Sequence, residues 1–172
     1  MKYWLLSLTL FGTLAVSAQS PKDIYRIIDS VSQERIAHDV AKLAGFGTRH
    51  TLSDTLSSKR GIGAARRWIK AEFKKIAADC SNCIEVKEQH NLVSKGSGDR
   101  IVKDVNIVNI LAIQHSKKNP KRFVMMSGDI DSRISDPNDY TNDSPGANDN
   151  ASGMAGTIEA ARVLSRYDFD YG

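Results

Sequence analysis

The sequence predicts an α/β layered domain, on three observations. Apolar residues recur at helical spacing up to Ala77. Alternating and β-branched runs then fill 84–126. A second helical segment opens at Gly153, directly behind an acidic loop. A chain of 172 residues, 41% apolar and 26% charged, suits about one globular domain.

The first residues read as a targeting segment. Lys2 gives a positive start, Tyr3–Val16 is apolar but short for a bilayer span, and Val16-Ser17-Ala18 offers small residues for cleavage. Residues 1–18 are therefore expected to be a signal peptide, with an uncleaved N-terminal anchor as the alternative. The expected location is periplasmic or extracellular, with no membrane contact after cleavage. Residues 19–60 are expected to form N-terminal helices and a loop. In Pro21–Ala44, Ile24, Ile27, Ile28 and Val31 make one apolar face and Ile36, Val40, Leu43 and Ala44 another; Ser30 or Ser32 could cap the second of two short helices. Gly45–Thr51 is then a loop.

The spacing predicts a helix over Gly61–Ala77, with Ile62, Ala65, Ile69, Phe73 and Ile76 on one side and Arg66, Arg67, Lys70, Lys74 and Lys75 on the other. Ile84–His90 alternates like a strand, Ser94–Arg100 is a polar turn, Val105–Gln114 is a β-branched strand, and Phe123–Met126 reads as a short buried one. Gly153–Leu164 is helical. A site is expected at the carboxyl end of the Phe123–Met126 strand. Cys80 and Cys83, in an exported chain, are expected to form a local disulfide. The rivals are weaker: a redox pair sits before a helix rather than after one, and a structural zinc site needs a second ligand pair.

Charge is unevenly spread. Met126–Gly172 carries nine acids and three bases, a net of −6, against +10 for the preceding residues. That asymmetry suits a cation site. The scattered Lys and Arg residues, without interleaved aromatics, argue against a nucleic-acid partner.

The acids lie in one loop. Asp129, Asp131, Asp136, Asp139, Asp143 and Asp149 fall within twenty-one positions, and such a cluster repels itself unless screened. Asp136, Asp139 and Asp143 are expected to be ordinary loop acids. Asp129 and Asp131 share a face in extended backbone, and Asp149 sits before a helix whose dipole favours a carboxylate. Asn148, Asn150, Ser152, Gly153 and Glu159 also match the spacing of a calcium-binding loop, a rival reading. Against it, Asn148 lacks a charge and Ser144-Pro145-Gly146 stands where the entering helix should be.

These residues resemble the co-catalytic zinc aminopeptidases, metallopeptidase family twenty-eight. That family's strand end Gly-His-x-Asp-Ser reads here Gly128-Asp129-Ile130-Asp131-Ser132. Its Pro-Gly-Ala-Asp-Asp-Asn-x-Ser-Gly reads Pro145-Gly146-Ala147-Asn148-Asp149-Asn150-Ala151-Ser152-Gly153. The resemblance implies a three-layer α/β/α zinc-peptidase domain with a mixed central sheet, 61–172 being its N-terminal portion. It implies two zinc ions that activate water and polarise the scissile carbonyl of peptide substrates. Asp149 matches the carboxylate bridging the metals. Asp131 matches the acid of the catalytic apparatus that orients the strand-end ligand. Asp129 stands where that ligand is His; a carboxylate can bind zinc, with a shift toward Mn²⁺ or Ca²⁺. His50 is expected to be a solvated loop residue. The family's general-base Glu and remaining ligands would fall after Gly172. The implied function is an exported metallo-aminopeptidase, with a catalytically inactive peptidase-like binding domain as the alternative and this stretch alone expected to be inactive.

Overall fold

The structure, a computed structural model, describes residues 21–172. The expected signal segment, 1–18, lies outside the described residues. Four helices and one hairpin follow in order: α1 (Pro21–Asp29), α2 (Gln33–Ala44), α3 (Gly61–Asp79), β1 (Ile84–Val93), β2 (Val105–Gln114) and α4 (Ser152–Leu164). No described helix is long and apolar enough to cross a membrane.

Ser32 separates α1 from α2 in extended backbone, and its hydroxyl accepts the Arg35 amide at 3.1 Å. That satisfies one of the donors left free at a helix start. The expected face of α1 is not a core face: Ile24, Ile28 and Val31 are exposed. The stripe on α2 does face inward, and it carries Asp39 between Ile36 and Leu43, fully buried.

Helix α3 is the centre of the core. Ala64, Ala65, Ile69, Phe73, Ile76 and Ala77 pack with Leu43 and Phe46 on one side, Ile84 on another, and Ala151, Met154 and Ile158 at α4. It packs on the hairpin and on α4, and α4 packs on α2. Its start is tight. Gly61 has φ +86°, and a Cβ at Gly63 would lie 2.2 Å from the Thr55 carbonyl oxygen, so neither site accepts a side chain. Cys80 and Cys83 form a disulfide in the turn from α3 to β1.

The hairpin is antiparallel and in register from Ile84–Gln114 to Val93–Val105. Among the described residues it is the whole regular sheet, two-stranded, which makes the chain a mixed helix-and-sheet structure. Phe123–Met126 departs from expectation. The segment is neither a regular strand nor buried: Val124 is 76% exposed and Met125 85%. Apolar composition sets a strand's tendency to be covered, but burial needs neighbours on both edges. Here the Val124 amide donates to the Gly172 carbonyl at 2.8 Å and the Gly172 amide to Arg122, and no second edge is covered among the described residues.

Candidate metal centre

Two backbone arms meet at the head of α4. One runs from Ser127 to Ser132. The other is the turn 145–151, which enters through Gly146 at φ 48°. The arms approach each other at Gly146, where a Cβ would lie 2.6 Å from the Ser132 Cβ, and the first arm presses on the first turn of α4 at Gly128, where a Cβ would lie 2.7 Å from the Gly153 carbonyl carbon and the Met154 amide nitrogen. Gly128→Ala is therefore expected to push the first arm off the head of α4. It should cost about 1–3 kcal/mol in urea unfolding, as overpacking does, and lower metal uptake in the same preparation.

The turn is not a plain helix start. Asp149 (φ −115°, ψ 95°) and Asn150 (φ −134°, ψ 42°) leave helical backbone, so α4 begins only at Ser152, and no side chain caps it. Ser152 Oγ instead donates back to the Asn148 carbonyl at 2.7 Å. Asp129, Asp131 and Asp149 are all exposed.

The six loop acids divide by their partners. Asp136 accepts the Asn138 amide at 2.9 Å, and Asp139 accepts the Thr141 and Asn142 amides at 3.0 Å each. Backbone and side-chain donors from Asn142 and Thr141 hold the Asp139 carboxyl far below the usual range. Asp143 pairs with Arg60. These three are local loop acids, as expected. Asp131 accepts the Thr51 hydroxyl at 3.0 Å. It makes no hydrogen bond to residue 129. Thr51 is a contact that sequence reading missed. Among the described residues, the carboxylates of Asp129 and Asp149 alone in the loop accept no hydrogen bond and join no ion pair.

His50 is not solvated. It is 7% exposed; Nδ1 accepts the Leu52 amide at 3.0 Å and Nε2 donates to the Pro137 carbonyl at 3.0 Å. Those two bonds require the neutral ring with its proton on Nε2. Both nitrogens are thus committed to backbone, and the ring packs beside Tyr140. Part of its loop is also interior. Thr48 and Arg49 are buried, and Thr48 Oγ1 lies 2.9 Å from Ser144 Oγ.

The calcium-loop rival fails on geometry. No helix enters before Asn148. Glu159, its closing ligand, is 2% exposed and bound to Arg35 and the Ser32 amide. Among the described residues, no three His, Cys, Asp or Glu side chains gather closely enough to hold an ion by themselves.

Residues 109–171 match the family model described as peptidase family M28. A probable zinc metalloprotease of Pyrenophora teres f. teres is 45% identical over 150 residues, covering 87% of this chain and 31% of that protein. Proteins described in the same words from Leptosphaeria maculans and Pyricularia oryzae are each 42% identical, over 84% and 87% of the chain and 33% and 30% of their own lengths. The chain thus spans about a third of the length of the curated relatives it matches. No solved structure gives a significant match. Both arms fall inside the matched residues, and the chain belongs to peptidase family M28.

Proposed function

We propose that the whole protein is an exported zinc-dependent aminopeptidase that removes N-terminal residues from peptides outside the cytoplasm. One observation carries the metal reading: of six acids in the loop, four are tied to protein partners, and the two left free, Asp129 and Asp149, stand on the two joined arms. Carboxylates without a partner in so acidic a loop repel their neighbours unless a cation or water screens them. Next to Asp149 in the chain, the Asn150 Oδ1 atom is packed against Gly153 and is buried with no partner. These residues fit part of the four-ligand set that zinc takes.

Asp149 would be shared by two zinc ions and Asp129 would bind one of them. Bound zinc would polarise the scissile carbonyl and make a water acidic enough to ionise near neutral pH. Asp131, fixed by the Thr51 hydroxyl, stiffens the first arm and adds negative charge that favours a cation. Carboxylate in place of imidazole at 129 favours harder ions, so Mn²⁺ or Ca²⁺ would compete there. In this reading the described elements belong to a three-layer α/β/α domain with a mixed central sheet, whose further strands would cover the exposed Phe123–Met126 segment. Export is supported by Lys2, the apolar run that follows it and the Cys80–Cys83 disulfide.

The test uses protein expressed from its complete reading frame, assayed on peptides with free and with acetylated amino termini. Cleavage of the free form alone supports the aminopeptidase; equal cleavage of both would refute it. Asp129→His is expected to raise zinc affinity relative to Mn²⁺ by about tenfold, read by competition with a chelator. Unchanged affinities and rate would show that residue 129 binds no metal. The departure at Asp129 also favours a second reading, a non-catalytic peptidase-like binding domain. Wild-type protein that binds no transition metal and cleaves nothing would establish that one instead.

A further inference from the structure

We infer that Arg49 is a positioning residue for the metal centre, its guanidinium clamping together the two arms that carry Asp129 and Asp149; the inference rests on the metallopeptidase reading above. Arg49 is 1% exposed. Its Nε donates to the Ile130 carbonyl at 2.8 Å, between Asp129 and Asp131 on the first arm. Its Nη1 donates to the Pro145 carbonyl at 2.6 Å and its Nη2 to the Gly146 carbonyl at 3.0 Å, on the second arm just ahead of Asp149. Nη1 also reaches the Leu43 carbonyl at 2.9 Å, which ties both arms to the end of α2. The main chain completes the clamp: the Arg49 amide donates to Ser132 Oγ at 3.0 Å, and that hydroxyl donates to the Ser144 carbonyl at 2.5 Å.

No carboxylate touches this buried cation. Burial pulls its pKa down, opposed only by the field of Asp131. Burying a charge on carbonyl dipoles alone is expensive. What the side chain gains is geometry, because only a planar fork with donors at Nε and both Nη atoms can span three carbonyls on two separate segments. The fit is close: a Cβ at Gly146 would lie 3.1 Å from Nη2. Three of its four acceptors lie within four residues of one of the two free carboxylates. A displacement of either arm would therefore be felt first as altered metal geometry, since ligands must be held to a fraction of an ångström.

The test uses R49K, which keeps the charge and loses the fork, and R49Q, which keeps one amide donor group without charge, in protein from the complete reading frame. Zinc affinity is measured by chelator competition, ligand geometry by the visible bands of the cobalt-substituted protein, and turnover by kcat and KM separately. The variants are expected to bind zinc about 10–100-fold more weakly, with shifted cobalt bands and kcat falling while KM holds, the size seen when a residue that orients metal ligands is lost. Arg60→Ala serves as the control. Arg60 braces the same loop through Asp143 and the Thr141 carbonyl, and its loss is expected to leave zinc affinity unchanged. Wild-type protein without zinc would sink the metallopeptidase reading itself. Wild type that binds zinc, with R49K or R49Q matching it in affinity and cobalt spectrum, overturns the Arg49 assignment alone. So does an equal loss in Arg60→Ala, or failure of both Arg49 variants to fold, either of which would make Arg49 part of the general scaffold.

Discussion

Asp149→Asn, in protein from the complete reading frame, is expected to lose its zinc and to lower kcat/KM by about 10³-fold or more, beyond the cost of removing one electrostatic donor from an active site. The substitution keeps the size of the side chain and removes its charge. An amide oxygen is a poor ligand for zinc, and a neutral group cannot offset the charge of a bound cation. The same change should leave the metal-free protein as stable as wild type, within about 0.5 kcal/mol in urea. Asp149 is exposed and makes no hydrogen bond or ion pair among the described residues, so folding gains nothing from its charge. Relief of repulsion in the acidic loop would, if anything, stabilise the empty form slightly. This split between folding and binding distinguishes a ligand from a structural acid. Full zinc content in Asp149→Asn would remove the metal assignment at its strongest residue.

How much of this was legible in the sequence follows from how local each cause is. The Ser32 cap, the α3 stripe and the Val105–Gln114 strand rest on neighbours within a few positions, and all three lie where the pattern puts them. The family motif was legible because its residues fall in two short runs, 128–132 and 145–153, both inside the matched residues. Burial of Phe123–Met126 depends on partners far along the chain, which no local period encodes. Arg49, Thr51 and His50 were missed because a polar G-T-R-H-T segment reads as a solvated loop. Apart from Leu43 and Leu52, the partners of their side chains are the Ile130, Pro137, Pro145 and Gly146 carbonyls and the Asp131 carboxylate, at least eighty residues away. Asp39 did leave a signal. It lies three after Ile36 and four before Leu43, on the inward stripe of α2, and a carboxylate there requires a buried cation from elsewhere.

That cation is Arg162, and its removal should give the largest loss of stability in the molecule. Its Nη1 donates to Asp39 at 2.7 Å and its Nη2 to Glu72 at 3.0 Å, with Glu159 3.4 Å from Nη1. The group thus joins α2, α3 and α4 at one point. Arg162→Met keeps most of the volume and leaves Asp39 with only the exposed His38 ring, at 3.1 Å. Orphaning a buried partner in this way costs about 3–5 kcal/mol. Glu159 is better protected, because Arg35 Nε at 2.9 Å and the Ser32 amide at 2.8 Å remain. The double variant Asp39→Asn with Arg162→Met should recover a large part of the loss, since it removes the stranded charge along with its partner. Acid should reveal the same network. Burial pushes the Glu159 carboxyl up, but Arg35, the Ser32 amide and Arg162 together outweigh it and hold the carboxyl below its ordinary value; Glu72 is lowered likewise through Lys75 and Arg162. Folded pKa values below the unfolded ones mean that this stability is complete above about pH 4.5 and is lost as pH falls through the folded values. Without Arg162 those folded values rise, so the stability of Arg162→Met should fall less steeply below that pH than wild type does. Urea unfolding at neutral and acid pH measures both effects. A loss under about 1 kcal/mol at pH 7, the worth of a surface pair, would mean that Arg162 is not the counterion on which the three helices depend.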